Sequence, residues 1–167
     1  MSLKHLNELP PEEASHEFLK CCGSKRWAET MTARRPFESL EELTRAAGDV
    51  WWSLNHDDWL EAFRSHPKIG EKKAAEHVST QSQQWSGQEQ SGMRDAGEDT
   101  IDSLAQLNRE YEEKFGFIFI VCATGKSAGE MLALLRQRIH NNPTTELPIA
   151  AAEQAKITEL RLKKLLN

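Results

Sequence analysis

Apolar residues recur along this chain at steps of three and four, the spacing of one buried face of an α-helix. The plainest stripe is Leu40, Leu43, Ala47, Val50 and Leu54. Ser39 precedes it and Glu42 follows three residues later, a capping-box pattern for a helix start. Ile101, Leu104, Leu107 and Tyr111 form a second stripe, which predicts a helix from Asp99 to Phe115 stopped by Gly116. Met131, Leu132, Leu135 and Ile139 form a third, with Ser127 as its cap. The last, through Ile149, Ile157, Leu160 and Leu165, predicts a helix to about Leu166 that follows a loop at Pro143-Thr144-Thr145-Glu146. Nearer the start, Pro10-Pro11-Glu12-Glu13 suits a first helical turn, and Gly23 ends the helix that bears Phe18 and Leu19. A short helix follows from Ser24 with Trp27 and Met31, until Arg34-Arg35-Pro36-Phe37 breaks it. Asn55 or Asp57 caps the next, which carries Trp59, Leu60 and Phe63 and must end before Pro67. A further short helix is expected over Lys72 to His77.

Two segments depart from this pattern. Thr80 to Gln90 is polar, with Trp85 its one large apolar residue. It is either a solvated surface helix or the lining of a wet pocket. Phe117-Ile118-Phe119-Ile120-Val121-Cys122-Ala123 is the one run with strand propensity. It has no partner strand and reads as a buried extended link, whose backbone N–H and C=O groups need partners. A polar ligand is one candidate. The whole is expected to be an all-α bundle of about eight helices with one extended buried link, a single domain over residues 1–167.

Composition narrows the function classes. The 167 residues are enough for one domain with a proper core. The net charge is −5, with acids and bases interleaved, so there is no basic stripe for nucleic acid and no polybasic membrane patch. No apolar run approaches a membrane span. Met1 to Glu13 has no apolar core of a secretory signal, and Lys163-Lys164-Leu165-Leu166-Asn167 is not a peroxisomal address. Cys21, Cys22 and Cys122 are odd in number and lack C-x-x-C spacing, which argues for a reducing compartment and against structural zinc. These features together point to the cytoplasm.

Candidate chemistry centres on two short motifs, His66-Pro67-Lys68-Ile69-Gly70 and Ser86-Gly87-Gln88-Glu89-Gln90. Proline pushes His66 out of the α region and leaves its imidazole at a helix exit. A histidine and a glutamate displayed in this way can move a proton. Each has a bland alternative. A lone histidine often sits at a surface or a cap, and Ser86 with Glu89 also fits a capping box. Arg161, between Leu160 and Leu162, either buries its stem and presents a guanidinium fork or makes a surface salt bridge with Glu159. His66, Glu71 and His77 match no metal-site spacing, so no metal is expected. Thr124-Gly125-Lys126-Ser127 imitates the end of a phosphate loop, but the first glycine is missing.

The combination resembles the 2-oxo-4-hydroxy-4-carboxy-5-ureidoimidazoline (OHCU) decarboxylase family of urate degradation. The likeness rests on Arg35-Pro36-Phe37, His66-Pro67-x-Ile69-Gly70, Ser86-x-x-Glu89-Gln90, Leu107-Asn108-x-x-Tyr111-x-x-Lys114-Phe115-Gly116-Phe117 and Leu160-Arg161-Leu162. It implies an all-α, dimeric, cofactor-free enzyme that makes S-allantoin. His66 and Glu89 would be catalytic. Pro67, Ser86, Gln90, Arg161 and the backbone of Phe119, Ile120, Val121, Cys122 and Ala123 would contact the substrate. The stretch from Gly70 to Gln84 carries no transferable contacts. A homodimer could be anchored by an exposed Trp51 or Trp52, and association with 5-hydroxyisourate hydrolase is a further expectation. A helical interaction module without catalysis would instead leave His66 and Glu89 far apart.

Overall fold

The computed structural model describes residues 1–70 and 78–167, so the helix expected over Lys72 to His77 lies outside the described residues. Among the described residues there are nine α-helices, one 3-10 turn and no strand. The backbone forms two compact units, one of Met1–Ala62 with Ala155–Asn167, the other of Phe63–Gln154.

The first unit holds α1 (Leu3–Glu8), α2 (Pro11–Cys21), α3 (Lys25–Ala33), α4 (Leu40–Ser53) and most of α5 (His56–Arg64). It also holds the end of α9 (Pro143–Leu165). The starts follow the expected caps. Ser24, Ser39 and Asn55 accept hydrogen bonds from the backbone N–H of Trp27, Glu42 and Asp58. Glu42 reaches one residue further than a capping box requires and accepts from Glu38 N at 2.6 Å. The short α1 has no periodic stripe to announce it. Ser2 caps it, and Leu6 is its one buried residue. Arg35 donates from Nη1 to the carbonyls of Leu6 and Leu9 at 2.7 and 2.8 Å, and Asn7 pairs with both Phe37 O and Phe37 N. The Arg35-Pro36-Phe37 motif, which contains a cis Arg35–Pro36 bond, therefore holds the end of α1. Phe18 and Trp27 meet edge to face at 5.9 Å in the core. Trp51 is buried beside Trp59, whose indole donates to Trp51 O, so Trp51 is no surface anchor; Trp52 is 48% exposed.

The second unit holds α6 (Thr80–Glu89), a 3-10 turn at Ser91–Met93, α7 (Glu98–Phe115), an extended run to Ala123, α8 (Ala128–Arg138) and the start of α9. Gly116, with φ of 80°, stops α7 in the left-handed region. The stripe of α7 is rotated from the expected one. Leu104, Asn108 and Tyr111 are buried, while Ile101 is 40% exposed. A polar asparagine thus occupies a core position, for a reason given below. The extended run is buried from Phe119 to Ala123 and packs with Tyr111, Met131 and Leu135. The loop expected at Pro143 to Glu146 is the first turn of α9. Proline at N1 needs no donor, and Asn142 Oδ1 accepts from Thr145 N at 2.8 Å.

Candidate active site

His66 stands where α5 has stopped and Pro67 prevents its continuation. Its ring is half-buried, and Nε2 lies 2.6 Å from Oε1 of Gln154, a residue of α9 with none of its surface exposed. The residues after it are held just as closely. Lys68 pairs with Glu112 at 2.9 Å. Asn108 Nδ2 donates to Ile69 O at 3.3 Å, which explains the buried asparagine of α7. Gly70 N donates to Gln90 Oε1 at 2.9 Å. Gly70 has φ of 89°, a conformation that any side chain would strain, so the glycine of the motif is a backbone requirement.

Helix α6 reverses ordinary amphipathicity. Ser82, Ser86 and Glu89 follow one another at i, i+4 and i+7 and are buried with Trp85. The solvated-helix reading therefore fails. The capping-box reading fails too, because Ser79 caps this helix and Ser86 lies inside it, donating from Oγ to Ser82 O at 3.0 Å. Burying a carboxylate costs several kcal/mol unless hydrogen bonds or charges compensate. A helix that turns two hydroxyls and a carboxylate inward is arranged for something polar.

The extended run is held by polar and charged side chains of its own unit. Cys122 N donates to Glu153 Oε1 at 3.2 Å, and Lys126 Nζ donates to Cys122 O at 2.6 Å. Burial raises the Cys122 thiol pKa, and the charges of Glu153 and Glu89 add to this. Lys126 and the Thr124 N–H oppose it. The thiol stays protonated, and its surroundings place Glu89, Glu153 and Cys122 in one electrostatic neighbourhood. From behind, Arg138 anchors the run. Its Nη1 donates to Ile120 O at 2.6 Å, and its guanidinium lies 4.6 Å from the centre of the Phe119 ring. Its Nε donates to Glu146 Oε1 at 2.7 Å, while the Tyr111 hydroxyl donates to the same oxygen at 2.6 Å. Desolvation, then the bond to Glu146, raises the Tyr111 pKa. The Ile120 carbonyl and both backbone groups of Cys122 are thus already engaged by protein side chains.

The sequence model of the OHCU decarboxylase family matches residues 7–163. The chain belongs to the OHCU decarboxylase family. It is 40% identical over 157 residues to the uric acid degradation bifunctional protein TTL of Arabidopsis thaliana, covering 93% of this chain and 48% of that one. It is 29% identical over 172 residues to the OHCU decarboxylase of Amia calva, covering 100% of this chain and 95% of that one. A crystal structure of an OHCU decarboxylase in the presence of (S)-allantoin superposes with a TM-score of 0.78 at 41% identity, over 90% of this chain and 96% of that one. The chain spans about half the length of the Arabidopsis protein and about a third of the bifunctional protein PucL of Bacillus subtilis.

The residues singled out by the OHCU decarboxylase resemblance divide between the two units. His66, Pro67, Ser86, Glu89, Gln90 and Phe119 to Ala123 all belong to the second. The contact between Gly70 and Gln90 joins the turn of His66 to the end of the helix that bears Glu89. Arg161 belongs to the first unit. It is 4% exposed and donates from Nη1 to Lys20 O at 3.3 Å, and Glu159 pairs with Lys163 instead, so the surface salt-bridge reading is excluded. Among the described residues no three His, Cys, Asp or Glu are grouped to hold a metal ion; Glu71 and His77 lie outside them. The phosphate-loop imitation is a helix start, with Ser127 and Glu130 forming a capping box on α8. Sequence reasoning gives no role to Gln154, Glu153 or Arg138, and it quotes Asn108 in a motif without a role for it. All four are polar residues on predicted apolar helices, and their spacing of three or four from Leu104, Ala150 or Leu135 is the available signal.

Proposed function

We propose that this chain decarboxylates OHCU to S-allantoin, with the whole of residues 1–167 as the catalytic domain. The observation that carries the reading is the buried Ser86–Glu89 face of α6, tied through Gln90 to the turn that presents His66. In this substrate the carbon that loses CO2 also bears a hydroxyl and adjoins a C=N carbon. The electron pair left by the departing CO2 flows into that imine, so the substrate is its own electron sink and no cofactor is required. The protein has to turn the carboxylate out of the ring plane, stabilise developing charge and deliver a proton to one face. His66 and Glu89 share the proton work, with Glu89 also gripping ring or ureido N–H groups. Gln90 holds carbonyl or ureido oxygens, and the family resemblance gives Arg161 a substrate-binding role as well. Pro67, Ser86 and the Phe119–Ala123 segment complete the pocket.

Protonation by a fixed acid gives one enantiomer. The working form is a cytoplasmic homodimer, for which the exposed Trp52 is the candidate anchor. Association with the hydrolase that makes the substrate is part of the same reading, and it is supported only so far as relatives of this chain are parts of longer uric acid degradation bifunctional proteins. No helix among the described residues is long and apolar enough to cross a membrane. The test is turnover of freshly generated OHCU by His66→Ala and Glu89→Gln. Both are expected to lose at least about a hundredfold in kcat, the scale of one general acid–base group, with far-UV ellipticity unchanged. Normal turnover by His66→Ala would remove the assignment.

A further inference from the structure

Gly92 stands in the 3-10 turn that follows Gln90, and a Cβ there would lie 2.1 Å from the Lys126 carbonyl oxygen and 3.2 Å from Cα of Ser127. Its φ lies outside the left-handed region, so alanine would accept this backbone. The glycine is needed for space alone. Other glycines of the same unit are not so confined. Nothing lies within 4 Å of a Cβ at Gly87 or Gly97, and at Gly129 the nearest atom is Ser127 Oγ at 3.9 Å.

Each side of this close approach leads to residues of the candidate site. On one side, Met93 N donates to Gln90 O at 3.0 Å, Gln90 N donates to Ser86 O at 3.1 Å, and Gln90 Oε1 accepts from Gly70 N at 2.9 Å. On the other, Lys126 N donates to Ala123 O at 3.0 Å and its Nζ to Cys122 O at 2.6 Å. Both segments are short and closed by their own hydrogen bonds, so a displacement at the contact is passed on rather than absorbed. Close carbon–oxygen contacts between backbones stand at about 3.3–3.6 Å. A methyl group at Gly92 would therefore drive the two backbones apart by about 1 Å, and a misplacement of that size costs about 100-fold in rate.

We infer that Gly92 is a positioning residue: by admitting the Lys126 carbonyl it sets the spacing between the end of α6, with Ser86, Glu89 and Gln90, and the extended run that ends at Ala123. The inference rests on the reading of those two segments as substrate contacts.

The experiment follows turnover of freshly generated OHCU by the full chain, at a temperature where far-UV ellipticity shows each variant folded. The amide signals of Gly70 and Cys122 are read in proton–nitrogen spectra. Those N–H groups donate to Gln90 Oε1 and Glu153 Oε1 and report the two sides of the contact. Gly92→Ala is expected to lose about 100-fold in kcat, with a smaller change in KM, and to shift at least one of the two signals. Gly129→Ala is expected to leave kcat and both signals as they are. A glycine needed only for stability would lower Tm in Gly92→Ala and leave kcat intact. That result, a loss of kcat with both signals unmoved, or an equal loss in Gly129→Ala would overturn the inference. If Gly92→Ala does not fold, Lys126→Met decides, since it keeps the backbone contact and drops the bond to Cys122 O. Its kcat is expected to fall about 10-fold or more, the scale of one hydrogen bond to a charged group; an unchanged kcat there overturns the inference. Failure of the underlying reading looks different: the unmodified protein would leave OHCU to decay unassisted, whatever the amide signals show.

Discussion

Removing the carboxylate of Glu146 should cost this protein a large share of its stability. Glu146 is fully buried, and its Oε1 accepts from Arg138 Nε at 2.7 Å and from the Tyr111 hydroxyl at 2.6 Å and lies 2.6 Å from Arg138 Nη2 in an ion pair. Its other oxygen accepts from Asn141 Nδ2 at 2.9 Å. Glu146→Leu leaves the Arg138 guanidinium in the core without its counter-charge. Breaking a buried ion pair by removing one partner costs about 3–5 kcal/mol, against a typical total of about 5–15 kcal/mol. For a chain of this length, about 2–4 °C per kcal/mol gives a fall in Tm of roughly 6–20 °C. Arg138→Met should cost a similar amount and should also lower turnover, because Ile120 O loses its Nη1 donor and the run that ends at Ala123 loses its anchor. The double variant Arg138→Met/Glu146→Leu buries no charge and should be more stable than either single one. Urea unfolding followed by far-UV ellipticity measures all three. Single costs below about 1 kcal/mol, the scale of an exposed pair, or a double variant equal to the sum of the singles, would refute the reasoning.

Other outcomes are as specific. Gly92→Ala should destabilise by about 1–3 kcal/mol in the same assay, because a Cβ there would meet the Lys126 carbonyl oxygen and neither backbone can yield cheaply. Burial pushes the Cys22 thiol from 9.0 up to about 12, so the folded state holds that proton where the unfolded chain has lost it. Stability present below pH 9 should therefore decline as pH rises towards 12, by at most about 4 kcal/mol from this group, and Cys22→Ala should flatten that part of the profile.

The legible parts of this fold were those in which local chemistry and burial agree. Ser24, Ser39 and Ser127 cap helices, Gly116 stops one, and Pro67 limits another, because each acts through the backbone of its immediate neighbours. The errors arose where tertiary contacts prevail. Asn108 displaced Ile101 from the buried stripe of α7 because Ile69 O needed a donor from 39 residues away. Glu146 reads as loop in the sequence because its reason to be helical and buried is Arg138, on another helix. The site divides in the same manner. His66, Glu89 and their motifs could be read because short patterns carry them. Gln154 has no local signature; only the fold brings it to His66. The polar face of α6 posed a correct question, pocket or solvent, that burial alone could answer.

The central claim is stereospecific decarboxylation, and circular dichroism at an allantoin-sensitive wavelength tests it most directly. Urate, uricase and 5-hydroxyisourate hydrolase would generate OHCU in place, with and without this protein and with EDTA present. The account predicts rapid growth of an S-allantoin signal that EDTA leaves unchanged. Decay to racemic allantoin at the unassisted rate would contradict it.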